Sequence, residues 1–277
     1  MSTFRLILSG VFSCLAIFLF VTAPAPLPED GQVASMERQV DVAHVFSAVN
    51  AVNEAARQIY TSRIVGPGKK AGLGFGEDWA EQGVEKGPLP ALFLRLTSAR
   101  LEAKPTRLSL YLGSDEPINK SNLFDAAQMA TFEEVKASGG PVFSAIEGVG
   151  VVGMFPDFAS AGPCVSCHNE HDDSPKTDWK MGDVMGATTW TYPQGSLGAD
   201  EYLATTEQLY EAVGEAYAIY LDKVAGFSDE VAIGADWPSV GVKALPDLET
   251  FLAAVRQAAS PQVMEELILI SDAGGQQ

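Results

Sequence analysis

The chain is short of cysteine, histidine and basic side chains. Its 277 residues include three Cys, three His and 18 Lys or Arg against 36 Asp or Glu, so the formal net charge is −18. Three cysteines are too few for a scaffold held by several disulfides. A pI near 4.4 argues against nucleic acid as a partner, because phosphate binding needs a basic surface. The hydrophobic content of 47% is that of a globular protein of one or two domains.

Long apolar runs are absent apart from residues 6–23. This run follows Arg5 and precedes the acidic residues Glu29 and Asp30, which is the layout of an export signal. It is also just long enough to span a bilayer. We therefore expect residues 1–25 to be a signal peptide or an N-terminal membrane anchor, and we expect membrane contact only through this segment. The remaining chain is expected to be periplasmic or otherwise extracytoplasmic, because positive charge stays on the cytoplasmic side.

Acidic residues are concentrated in the C-terminal third of the chain. Residues 181–277 contain three basic and fifteen acidic residues, whereas residues 35–110 contain ten basic and eight acidic ones. Two interpretations remain open. The acidic region is either an ordinary solvated surface or a docking face that attracts a basic partner by electrostatic steering.

Hydrophobic periodicity predicts an antiparallel sheet with helices before, between and after its strands, which is an α+β fold. Helices are predicted over residues 33–60, over 122–136 and beyond Pro193, where Pro261 is expected at the first position of a helix. Strands are predicted at 107–113, 141–148, 148–155 and 184–192. The glycine-rich residues 66–78 lack the spacing of a phosphate-binding loop and are expected to form a flexible surface loop.

The motif that carries chemistry is Cys164-Val165-Ser166-Cys167-His168. C-x-x-C-H is the attachment signature of c-type haem, in which two thiols add to the porphyrin vinyl groups and the adjacent histidine ligates the iron. A thioredoxin-like pair would need a βαβ context, and a zinc site would need further ligands at matching spacing. A plain disulfide would leave His168 without a role. The motif therefore predicts one covalent haem c held by Cys164 and Cys167, with His168 as the proximal iron ligand.

Residues 164–187 resemble a bacterial family of exported c-type haem domains of unknown function, which often precede histidine kinases and nucleotide cyclases and also occur alone. The shared pattern consists of CxxCHN, an acidic-Ser-Pro-Lys turn, Asp-Trp and Gly-Asp-Val. The matching residues after the CxxCH motif are Asn169, Ser174, Pro175, Lys176, Asp178, Trp179, Gly182, Asp183 and Val184.

The resemblance implies a PAS-like α+β fold around the haem. It assigns residues 33–195 to the haem domain and leaves residues 196–277 as an acidic helical region outside it. No kinase or cyclase module follows, so a signal is expected to leave through another polypeptide. Where the family has Arg after Gly-Asp-Val, this chain has Met185. Lys176 and Lys180 are then the candidate partners of the haem propionates.

The sixth iron ligand is left open by the sequence. His44 is a candidate distal ligand, since small residues surround it on one helix face and few other nitrogen donors exist. The methionines at positions 154, 181 and 185, water, or an empty position are the alternatives. His171 is expected to be a surface residue, because three residues span at most about 10 Å and cannot carry it around a porphyrin from His168.

Three functions are compatible with one exported haem. The first is a sensor or binding module that responds to redox state or to a small diatomic ligand and acts on a protein partner. The second is a periplasmic electron-transfer cytochrome that docks through its acidic face. The third, a haem enzyme such as a peroxidase, needs a distal acid and base, and the sequence offers no convincing Arg/His pair, so a non-enzymatic role is favoured.

Overall fold

The computed structural model describes residues 39–234, 237 and 242–273. The predicted export or anchor segment, residues 1–25, lies outside them. The described residues belong to one compact unit. Within this described part of the chain, no helix is both long enough and apolar enough to cross a membrane.

Helices and strands alternate along the chain. The strands are β1 (Gln39–Asp41), β2 (Gly74–Gly76), β3 (Lys86–Pro88), β4 (Ser109–Gly113), β5 (Val142–Ile146), β6 (Gly150–Phe158), β7 (Val184–Tyr192), β8 (Ser196–Gly198), β9 (Ala232–Ile233) and β10 (Ala244–Leu245). The α-helices are α1 (Val42–Ile59), α2 (Gly66–Lys70), α3 (Pro90–Glu102), α4 (Ala126–Ser138), α5 (Gly162–Glu170), α6 (Ala199–Val224) and α7 (Leu248–Ala273). A π-helical segment, Tyr60–Val65, joins α1 to α2 without a break.

The main sheet has four antiparallel strands in the order β4-β7-β6-β5. One of its two central strands, β7, occupies the predicted residues 184–192, and the other three strands lie close to their predicted positions. Trp190 of β7 is opposite Leu110 of β4 and Gly153 of β6. The predicted α+β class is confirmed.

Helix α1 lies along one face of this sheet. Its first turn is capped by Asp41, whose carboxylate accepts a hydrogen bond from the Ala43 amide at 2.8 Å. Further along, the Trp190 indole N–H donates to Asn50 Oδ1 at 3.1 Å, and the last turn places Arg57 against Asp157 of β6 at 2.8 Å. Helix α1 therefore begins near the Tyr192 end of β7 and finishes near the Val184 end.

Helix α4 covers part of the opposite face of the sheet. It begins at a capping box, in which the Asp125 side chain accepts from the Ala127 and Gln128 amides and the Gln128 side chain accepts from the Asp125 amide. Asp125 is thus the cap, rather than the residues near 122 where the sequence predicted the helix to start. A second apolar cluster forms beneath it from Phe124, Phe132, Val135, Met154 and Ala187.

The helices of the acidic C-terminal region share the main core with α1 and α3. Tyr217 of α6 stacks on Phe251 of α7 with ring centroids 4.1 Å apart, and Phe251 meets Phe93 edge-to-face at 5.9 Å. Phe93 in turn stacks on Tyr60 at 4.2 Å. Aromatic burial of this size contributes strongly to stability. Residues on both sides of position 195 therefore contribute to a single hydrophobic core.

Three further local expectations are wrong. The helix predicted over residues 33–60 begins only at Val42 in the described residues, because Gln39–Asp41 form β1 beside β8. Residues 66–78 are not a loop throughout, because Gly66–Lys70 continue the first helical run as α2 and Gly74–Gly76 form β2 beside β3. Pro261 does not start a helix, since it lies inside α7. For the glycine-rich segment and for Pro261, the packing of neighbouring residues outweighs the local signal of glycine or proline.

Replacing Phe251 by Ala is expected to lower the free energy of unfolding by about 3–5 kcal/mol, because a fully buried aromatic ring is lost from the shared core. Leu203→Ala on the exposed side of α6 is the matched control and is expected to cost about 0.5 kcal/mol or less. Urea unfolding of both variants measures the difference. Equal costs for the two substitutions would contradict a core that includes α7.

Candidate cofactor site

The CxxCH motif lies on α5, within the connection between β6 and β7. The connection is closed at its base by two backbone hydrogen bonds, from the Ala159 amide to the Asp183 carbonyl at 2.8 Å and from the Gly182 amide to the Ala159 carbonyl at 3.1 Å. Pro163 stands in the first turn of the helix, where its missing N–H costs nothing. The motif is thus presented by one short helix at one end of the sheet.

The three side chains of the motif share one face of α5. Cys167 and His168 follow Cys164 by three and four residues, which is the spacing of neighbours on a helix surface. Both thiols are free; Cys164 is half-buried and Cys167 is exposed. Partial desolvation raises the pKa of the Cys167 thiol, and nearby carboxylates add to the rise while Lys69 opposes it. A redox-active CxxC pair needs the opposite, a thiol whose pKa is lowered.

His168 carries an unsatisfied ring nitrogen. Its Nδ1 is buried and has no hydrogen-bond partner in the described structure. Desolvation lowers the pKa of His168, and the neighbouring His171 lowers it further, so the imidazole is neutral near pH 7. The neutral ring is the form that binds metals. The ring is fixed by Trp179, which it meets edge-to-face with centroids 6.3 Å apart.

Asn169 ties α5 to the chain that returns toward β7. Its side-chain amide donates to the Trp179 carbonyl at 3.0 Å, and its Oδ1 accepts from the Trp179 amide at 2.8 Å. This pair of hydrogen bonds holds the buried Trp179 beside His168. The Asn that follows the motif and the Trp ten residues later are therefore two parts of one structural unit.

The two predicted propionate partners lie in the same connection. Lys176 Nζ is 2.5 Å from Asp178 Oδ1 and 5.0 Å from the centre of the Trp179 ring. Lys180 is exposed, and its backbone amide donates to Asp183 Oδ2 at 2.8 Å. Lys176 thus lies over the ring of Trp179, which in turn contacts the ring of His168.

The glycine-rich segment also reaches this site, which the sequence reasoning missed. His171 Nε2 lies 3.8 Å from Glu77 Oε1, and Lys69 is close enough to act on the pKa of Cys167. Neither position has a motif in the sequence. Their place at the site follows only from the fold, because the helical run that starts at residue 42 extends to α2 and brings this segment close to α5.

His44 is not brought to α5. It lies in the first turn of α1, and its Nδ1 is 2.7 Å from Glu266 Oε2 of α7. Arg57, which marks the other end of α1 beside Asp157, is thirteen residues further on, or about 20 Å along a helix. Since Asp157 and Val184 belong to the end of the sheet that carries α5, His44 and His168 lie at opposite ends of the sheet.

The alternative ligands are placed differently from one another. Met154 is buried in the cluster under α4, whereas Met181 is 57% exposed in the connection that follows α5. The carbonyl of Met185 accepts a hydrogen bond from the Ser114 hydroxyl at 2.7 Å. His171 Nδ1 accepts from the Asp173 amide at 3.1 Å. Met181, Met185 and His171 therefore share the α5 end of the sheet, and Met154 does not face solvent.

Exposed apolar and acidic side chains surround this end of the sheet. Leu123, Phe158 and Met181 are about half exposed; Leu123 bridges to Ser114 after β4, and Phe158 ends β6 opposite Val184. The exposed acidic residues that follow the motif are Glu170, Asp172 and Asp173. The surface near α5 thus combines uncovered apolar area with negative charge.

The chain belongs to the Tll0287-like family, because the model of that family, described as Tll0287, matches residues 34–193 and so more than half of the chain. The match ends just after β7 and leaves out α6 and α7. Comparison with curated proteins finds no match, and neither does comparison with solved structures.

Replacing Asn169 by Ala is expected to cost about 1–3 kcal/mol of stability, because two partly buried hydrogen bonds to Trp179 are lost. Asn169→Asp retains the acceptor for the Trp179 amide, so its free energy of unfolding is expected to lie between those of wild type and Asn169→Ala. The exposed Asp172→Ala is the control. Denaturant unfolding and the near-ultraviolet circular dichroism of tryptophan measure the effect. A tryptophan signal that is unchanged in Asn169→Ala would contradict the role of the two hydrogen bonds in holding Trp179.

Proposed function

We propose that this is an exported c-type haem protein with one haem, acting as a redox or small-ligand sensor or binding module. Cys164 and Cys167 would hold the haem covalently, and His168 would be the proximal iron ligand. A PAS-like assignment of the α+β fold is part of the same proposal. The observation that carries it is α5 itself, with two free thiols and, on the same helix face, a neutral imidazole whose Nδ1 has no hydrogen-bond partner.

The residues of α5 fit such a group chemically. Leaving the buried Nδ1 of His168 unpartnered costs about 1–3 kcal/mol, so its environment is incomplete with protein atoms alone. The lowered pKa of the ring supports ligation to iron, which needs the neutral imidazole. The raised pKa of Cys167 supports attachment over a thiol–disulfide exchange role, since exchange depends on an accessible thiolate.

The surface around α5 supports the same assignment. Leu123, Phe158 and Met181 are all exposed at this end of the sheet, which leaves apolar area there for a ligand to cover. A porphyrin has a large apolar face that could cover them. Lys176 and Lys180 supply positive charge in the same connection, as partners proposed for the propionates.

A bound haem would supply an iron that changes oxidation state or takes up a diatomic ligand. The residues of the chain act on the His168 side: Trp179 packs on the imidazole ring, and Asn169 holds Trp179. Hydrogen bonds and packing around a metal ligand tune the metal. The position of His44 beside Glu266, at the other end of the sheet, argues against His44 as a second strong ligand. This supports sensing or binding through a sixth position that takes an external ligand, with Met181 and Met185 as the protein alternatives at the same end of the sheet.

Electron transfer is the second candidate, and the acidic residues beside α5 favour it. Glu170, Asp172 and Asp173 are exposed directly after the motif. A redox partner must approach close to the cofactor, and negative charge at this point would steer a basic partner. In contrast, several acids of α6 are paired within the protein: Glu201 with Arg107, Glu207 with Arg256, and Glu211 and Glu215 with Lys104.

The location proposed for the protein is the periplasm or another extracytoplasmic compartment. The apolar residues 6–23 behind Arg5 support it, and attachment of c-type haem takes place outside the cytoplasm. The signalling or redox partner is expected to be another protein.

The attachment proposal is tested by expressing the chain with its own N-terminal segment in cells that assemble c-type cytochromes. Haem is expected to remain with the polypeptide under denaturing conditions in wild type and in His171→Gln. It is expected to be lost from the Cys164→Ser/Cys167→Ser double variant, while His168→Gln is expected to show an altered iron spectrum. Wild-type chain that is exported and folded but carries no covalent haem would overturn the proposal.

The sixth position is tested by optical spectra of the ferric and ferrous protein with and without carbon monoxide. Ready binding of carbon monoxide is expected, and His44→Gln is expected to change its affinity by no more than about twofold, because His44 is bonded to Glu266. A ferrous protein that resists carbon monoxide would favour electron transfer. A change in coordination in His44→Gln alone would show that His44 is the distal ligand.

A further inference from the structure

Strand β5 is an open edge of the main sheet. In the described structure it pairs only with β6, so the backbone groups along its other side have no strand beside them. Phe143 and Ile146 are 40% and 38% exposed, and Ala145 between them is also exposed. An exposed apolar edge strand is a template for pairing with another strand.

The opposite edge of the sheet is protected, whereas β5 is not. On β4, the Ser98 hydroxyl donates to the Leu110 carbonyl at 2.6 Å, and Ser114 just after the strand bridges to Leu123. Strand β5, with the sequence VFSAI, contains no charged residue and no proline. Charges and prolines are among the usual means of blocking an edge; here Pro141 and Glu147 flank the strand and neither lies within it, so the edge itself is open to a partner strand.

The charge distribution identifies the kind of partner. Residues 137–156 contain a single charged residue, Glu147, in a chain with a net charge of −18. Two copies of such a chain repel each other over most of their surface. An uncharged edge is the place where that repulsion is weakest, and it offers no charge by which a basic or acidic partner would be recognised.

We infer that β5 is a self-association edge, through which two copies of this chain pair their β5 strands antiparallel about a two-fold axis. A register centred on Ser144 places Phe143 opposite Ala145 of the partner subunit and Val142 opposite Ile146 of the partner subunit. The four-stranded sheets then join into one sheet of eight strands. A two-fold interface uses the same patch on both copies, and every residue of this strand except Ser144 is apolar.

The association is expected to be weak, because a pair of five-residue strands buries less area than a stable dimer interface requires. We expect a dissociation constant of about 10–100 μM. Added salt is expected to strengthen the dimer, because it screens the repulsion between two acidic chains. Association through ion pairs would weaken with salt instead. The inference does not depend on the haem, since β5 lies across β6 from the strand that follows α5.

Sedimentation velocity of the full chain across this concentration range tests the inference. Ala145→Lys is expected to weaken dimerisation at least about tenfold, since it adds a charge at the centre of the paired strands and removes little packing. Leu203→Lys, at another exposed position, on α6, is the control and is expected to change the dissociation constant by no more than about twofold. A chain that stays monomeric at concentrations well above this range, or dimers that persist unchanged in Ala145→Lys, would overturn it.

Amide hydrogen exchange locates the interface independently. Exchange of the amides of β5 is expected to slow as the protein concentration rises, while that of β4 at the other edge stays constant. Slowing that is confined to α6 or α7 would place the interface elsewhere and overturn the inference.

Discussion

The arrangement of this protein depends on the packing of α1 along β6 and β7. The fully buried Trp190 fixes that packing, because its indole N–H bonds to Asn50 on the helix while its ring fills the space between helix and sheet. The ion pair of Arg57 and Asp157 then sets the far end, with the Thr188 hydroxyl donating to the same carboxylate at 3.0 Å. With helix and sheet aligned in this way, the start of α1 with His44 lies at one end of the sheet, and the end of α1 with Arg57 lies at the other end, close to α5.

Much of the framework could be predicted from sequence because it depends on local periodicity. The alternation in residues 184–192 predicts β7, and the CxxCH spacing places two thiols and an imidazole on one helix face. The position of His44 could not be predicted, since helical periodicity gives the face of a residue but not the end of the sheet that it reaches. Its partner, Glu266, is 222 residues away in sequence.

The approach of Lys69 and Glu77 to α5 could not be predicted from the sequence for a related reason. Glycines in that segment suggested a loop, yet burial of Gly68 and Leu73 holds it in helix and strand. The charge count of the acidic C-terminal region likewise did not reveal its internal ion pairs. Several of its carboxylates neutralise bases just after α3, on α7 and near β4, so part of its negative charge is paired within the fold. The acids beside the motif, by contrast, are exposed.

The π-helical segment Tyr60–Val65 has a consequence for how this scaffold can change. A π-helical turn contains about one residue more than an α-helical turn, so Tyr60–Val65 take up an extra residue without changing the rotation between α1 and α2. Loss of that one residue would restore a regular helix and leave α2, with Lys69, on the same side of the helical run. Loss of a residue from α1 itself would instead turn everything after it by about 100°, so the π-helical segment is the part of this run where the chain can gain or lose a residue while α1 stays seated on Trp190 and α2 stays beside α5.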